Sequence, residues 1–108
     1  MIEITIPSTI EVGGFDYSIV SDIETDKELE AESAWGQHSQ VLKRIRLCSV
    51  MSSQQCSSTV IHELLHAVSD ECLSEGLNEG QVKGLTHGLL QVFKQLGVGF
   101  VKPSSGVA

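Results

Sequence analysis

The 108-residue chain reads as a single α+β domain. Two patterns predict it. The first half alternates apolar and polar residues in short runs punctuated by glycine and proline, as strands and tight turns do. The second half holds two long stretches of helical periodicity, each opening on a capping residue. Strands gathered before helices favour a segregated α+β arrangement over a βαβ repeat.

Ile2, Ile4 and Ile6 alternate with Glu3 and Thr5 as a short strand, which Pro7 ends or marks as an edge. Ile10-Glu11-Val12, Gly13-Gly14 and Phe15 to Val20 form an antiparallel hairpin around a two-glycine turn. Phe15, Tyr17 and Ile19 then share one face. The residues leave open whether the first strand continues into Ile10–Val12 through a bulge. Residues 21–33 are strongly acidic and read as a solvated short helix or loop. Trp35, the lone tryptophan, is expected to anchor the core. His38 falls in a loop, with nothing to tie it to a site. Val41 to Leu47 reads as a strand whose Lys43, Arg44 and Arg46 give it a wet, basic face. Such charges protect an exposed edge, and that edge could alternatively accept an extended peptide by strand addition.

Ser52 and Gln55 have capping-box spacing, which predicts a first long helix from about Ser53 to about Leu73, with Gly76 placed to end it. Ile61, Leu64, Leu65, Val68 and Cys72 give it an apolar face. Asn78 and Gln81 start a second helix, striped by Val82, Leu85, Leu89, Val92, Phe93 and Leu96. Gly84 and Gly88 lie off that stripe. Residues 98–108 contain Gly, Ser and Pro and read as a flexible tail, leaving 1–97 as the domain.

Composition narrows the function classes. A net charge of −7 argues against general nucleic-acid binding. No stretch is long enough to span a membrane, and the N-terminal residues lack the basic region and cleavage site of a secretory signal. Cys48, Cys56 and Cys72 are odd in number and form no C-x-x-C pair, so the expectation is small buried thiols in a reducing cytoplasm.

The chemistry concentrates at His62-Glu63-Leu64-Leu65-His66, an H-E-x-x-H zinc-metallopeptidase pattern. Residues four apart stack on one helical face, so His62 and His66 can aim both imidazoles at one Zn2+. Glu63 is rotated by about 100° from His62. It can therefore reach a water on the metal and act as general base without being a ligand. The plain alternative is an amphipathic helix with histidines along its edge. A catalytic zinc needs a third protein ligand. Glu79, in the first turn of the second helix, is the favoured choice, because an antiparallel helix pair would return it toward His66. Its alternative role is to complement the helix dipole. Cys72, Glu75 and His87 are rivals, and Asp70 is placed to orient a ligand.

Taken together, these motifs resemble the small zinc metallopeptidases of the ImmA/IrrE type, especially the short versions encoded by phages and prophages. The likeness covers Val12 to Tyr17, Trp35-Gly36, Arg44 to Leu47, Ile61 to Ala67 and Leu77 to Leu89. It implies a minimal zincin fold, with a small antiparallel sheet packed on the H-E-x-x-H helix and a second helix bringing the glutamate. By motif position it implies His62, His66 and Glu79 as zinc ligands and Glu63 as base. The expectation is a cytoplasmic zinc-dependent endopeptidase acting on a peptide or protein laid along Val41–Leu47. The alternative is a non-catalytic zinc-containing interaction protein of phage or mobile-element origin.

Overall fold

The computed structural model describes residues 2–103. The elements in chain order are β1 (Ile2–Thr5), β2 (Thr9–Val12), β3 (Phe15–Val20), α1 (Ile23–Ala31), β4 (Gly36–Ser39), β5 (Arg44–Leu47), α2 (Ser53–Cys72), α3 (Glu79–Gln95) and β6 (Val98–Val101). The fold is α+β. Four strands form one sheet in the order β2-β3-β5-β4, while β1 and β6 pair as a separate two-stranded ribbon.

The hairpin forms where the glycines require it. Gly13 and Gly14 both have positive φ, +59° and +88°, which matches the twist of a two-residue turn. Gly13 also abuts α2, since a Cβ there would lie 2.7 Å from that of Glu71. The sheet is mixed rather than wholly antiparallel. β3 and β5 run parallel, because α1 and β4 carry the chain back between them, and only β2–β3 and β4–β5 are antiparallel. β1 is not a continuation of β2. It pairs with β6 instead, and the chain enters the hairpin sheet only after Pro7, with Ile6 buried between the two.

Three expectations are corrected by this topology. Val41–Leu47 is not an edge strand: residues 41–43 lie in a turn, and β5 is flanked on both sides. Its basic residues are not all wet: Lys43 and Arg44 are half-buried, and α1 covers Arg46. Arg46 is buried and paired with Glu28, Glu32 and Gln37, so the acidic and basic segments neutralise each other across the sheet. Trp35 is half exposed at 52%. It lies in a bend just before β4 and borders an open cleft instead of entering the core. Lastly, residues 98–101 are not tail. β6 pairs with β1 from Ile2↔Val98 to Thr5↔Val101, and the Ser57 hydroxyl on α2 accepts a 2.9 Å hydrogen bond from the Phe100 N–H. Residues 104–108 lie outside the described part.

α2 runs through the middle. Its N-cap Ser52 accepts from the Gln55 N–H, but Gln55 turns to Thr59 instead of completing a box. The strip Cys56, Val60, Glu63 and Ala67 is buried, and the core also holds Tyr17, Ile19, Ile45 and Leu47. Leu64 and Leu65 are half-buried, whereas Val68 and Cys72 are exposed, so the buried face is rotated from the expected one. The reason is that α2 is covered from two sides, by the sheet and by α3 with β6. Of the three thiols only Cys56 is buried. Among the described residues no helix is long and apolar enough to cross a membrane.

Candidate metal centre

α2 supplies the first part of the site. His62 and His66 are one turn apart, and their Nε2 atoms lie 3.2 Å from each other. α3 supplies the next part through a connection whose geometry is fixed locally. Gly76, with φ +68°, reverses the chain. The buried Ser69 hydroxyl accepts a 2.6 Å hydrogen bond from the Leu77 N–H, which ties the turn back to α2. A complete capping box then starts α3. Asn78 Oδ1 accepts from the Gln81 N–H at 2.8 Å, and Gln81 Oε1 accepts from the Asn78 N–H at 2.9 Å. Glu79, the first residue of the helix, is thereby returned to the two histidines. Its Oε1 is 3.0 Å from His62 Nε2, and its Oε2 is 3.0 Å from His66 Nε2.

The donor set fits zinc. Two imidazole nitrogens and a carboxylate are ordinary ligands for that ion, and Zn–N bonds of about 2.0–2.1 Å in a tetrahedron separate neighbouring ligand atoms by roughly 3.3 Å. The three contacts here are 3.0–3.2 Å. The site is also open on one side: the side chains of His62, His66 and Glu79 are 23%, 18% and 54% exposed. Three candidate donors beside an open flank would suit a metal site with a free coordination position better than a closed structural one.

Glu63 belongs to the buried strip of α2, beside His62. His62 and Glu63 line a cleft of about 200 Å³ together with Trp35, Gly36, Ser58 and Thr59. Gly36 is what lets β4 come this close, since a Cβ on it would lie 2.5 Å from Thr59 Cγ2 and 3.3 Å from Glu63 Cγ.

One further residue, expected in a loop, joins the site. His38 is on β4, two positions after Gly36 and so on the same face of the strand. Its Nδ1 is 3.4 Å from Glu63 Oε1, and its Nε2 is 3.2 Å from Asp70 Oδ2. Its ring stacks on His66, with centroids 4.5 Å apart and planes 3° from parallel. The hydrogen bond to Glu63 holds this imidazole above its ordinary pKa, against the opposing effect of burial, with Asp70 adding to the rise. A short strand holding a histidine has no sequence signature like that of H-E-x-x-H, and only the Gly36-x-His38 alternation hinted at it.

Among the described residues, the groups able to converge on a metal are His62–His66–Glu79 and His38–Glu63–His66. Cys72, Glu75 and His87 belong to neither and are exposed. Asp70 contacts His38 rather than His62 or His66. Compared with protein-family models, curated proteins and solved structures, the chain matches none.

Proposed function

We propose that the chain is a zinc-dependent endopeptidase that hydrolyses extended peptide segments. The observation that carries the reading is the meeting of His62, His66 and Glu79 at ligand spacing beside the Glu63 carboxylate. The resemblance to ImmA/IrrE-type peptidases points the same way, and three free thiols suit a reducing cytoplasm. His62, His66 and Glu79 would hold the metal. When bound, zinc supplies a Lewis acid that lowers the pKa of water and polarises a peptide carbonyl. Glu63 has one oxygen turned toward His38. The other is available to take a proton from the attacking water and return it to the leaving amine. β4 is the sheet edge beside the cleft, so a substrate strand adding to β4 would bring its main chain past Glu63. β5 cannot serve, because both of its edges are already paired.

The test is zinc content after dialysis, combined with hydrolysis of fluorescein-labelled casein by the parent and Glu63→Gln. One zinc per chain in both proteins, with chelator-sensitive hydrolysis by the parent alone, is the expected result. Failure to retain zinc after it is supplied would reject the reading. Equal hydrolysis by both proteins would remove Glu63 from its role. Zinc retention without any hydrolysis by the parent would favour the non-catalytic interaction protein.

A further inference from the structure

The peptidase reading has no use for His38, yet His38 is the residue most closely engaged with the general base. We propose that His38 is a positioning residue that pins Glu63 through Nδ1 while Asp70 anchors it through Nε2. One oxygen of Glu63 is then held, and the other is left for proton transfer. The catalytic consequence rests on the peptidase reading above. The pin itself does not.

Three observations carry it. Glu63 is buried on the strip of α2 that faces the sheet, and a buried carboxylate without a partner is costly. Among the described residues, His38 is its only ion-pairing neighbour. Next, Glu63 and Asp70 are seven residues apart, two turns along one face of α2, and a single imidazole from β4 spans them. An incidental surface contact would not engage both ring nitrogens with two carboxylates of the same helix. Finally, flat stacking on His66 fixes the plane of the ring, and the Gly36–Thr59 contact fixes the distance of β4 from α2.

The experiment uses two substitutions that split the function of the ring. Asparagine places its amide near the position of Nδ1 and glutamine near that of Nε2. His38→Asn therefore keeps a donor for Glu63, whereas His38→Gln keeps one for Asp70. On labelled casein, His38→Ala and His38→Gln should lower kcat about 10–100-fold with little change in KM, the range typical of groups that orient a metal site from behind. His38→Asn should recover most of the loss. All three should keep the zinc-dependent thermal shift of the parent, because the ligands are untouched. Equal kcat in the Asn and Gln variants would overturn the pin.

A second measurement needs no substrate. In ¹⁵N-histidine-labelled, zinc-loaded protein, the His38 Nδ1 resonance should move on Glu63→Gln and the Nε2 resonance on Asp70→Asn. Resonances unmoved by either change would overturn the proposal even if casein is not cleaved. A parent without a zinc-dependent thermal shift would instead reject the peptidase reading, and the same resonances, recorded without metal, would still decide the pin.

Discussion

Glu79 has two physical reasons to stand where it does, and they predict different losses. As a carboxylate at a helix N-terminus it would contribute about 0.3–1 kcal/mol, with or without metal. As a ligand it would share in the binding free energy, which stabilises the fold by about 2.7 kcal/mol when free zinc is 100 times its Kd. Glu79→Ala should therefore lose most of the zinc-dependent rise in Tm and differ little from the parent in chelator. Equal zinc shifts in the two proteins would remove Glu79 from the ligand set. Gly36 gives a second test at this scale. Gly36→Ala forces a Cβ to within 2.5 Å of Thr59 Cγ2. Overpacking of that kind costs about 1–3 kcal/mol, measurable by urea unfolding. Adding Thr59→Ser removes the clashing methyl and should recover part of the loss, and no recovery would place the strain elsewhere. These residues also mark how far the sequence could be read. His62, Glu63 and His66 announce themselves through spacing within one helix, and Glu79 through its place after a capping residue. His38 was missed because its partners are 25 and 32 positions away across a sheet–helix contact, as the His38–Glu63 interval and the His38–Asp70 contact show.

Elements were legible where the signal was local. Both long helices start at the expected caps, and the hairpin turns on its two glycines. Pairing between elements was not legible. The acidic α1 and the basic β5 each look solvated alone, and only the sheet brings Arg46 onto Glu28 and Glu32. A similar link joins the hairpin to the far end of α2. Tyr17 donates a 2.6 Å hydrogen bond to Glu71, which is also paired with Lys43, and Lys43 lies 4.2 Å from the centroid of the Phe15 ring. Burial, and then the Glu71 carboxylate, push the Tyr17 hydroxyl well above its ordinary range. Lys43 first, and Tyr17 next, hold the Glu71 carboxyl below its ordinary value of 4.5. A carboxyl whose pKa is lower folded than unfolded stabilises the fold above the unfolded value and ceases to as pH falls through the folded one. The parent should therefore lose more Tm than Glu71→Gln on acidification from about pH 5 to 3. Parallel acid limbs in the two proteins would show that the link contributes nothing.

At the level of the whole molecule, α2 is shared by two layers. The four-stranded sheet covers the side bearing Glu63, and α3 with β6 covers the other, where Phe100 meets Phe93 edge to face at 5.6 Å. β6 resembles a tail in sequence because of Gly97, Gly99 and the Pro and Ser that follow, whereas its strand character depends on β1 and on Ser57. A chain stopped after Gly97 should lose its cooperative thermal transition, since β1 would be unpaired and Ser57 and Phe93 uncovered. A melting curve unchanged by the truncation would return residues 98–101 to the status of tail. The parallel ribbon of β1 and β6 has a further consequence, in the order of events during synthesis. The side chains proposed to bind metal all come from one helical hairpin, whose contacts are short in sequence and therefore quick to form. The ribbon joins segments from opposite ends of the described chain and cannot close until Val98–Val101 has been made. A nascent molecule thus passes through an interval in which the helical hairpin can already form while β1 still presents an open ladder to any neighbouring chain.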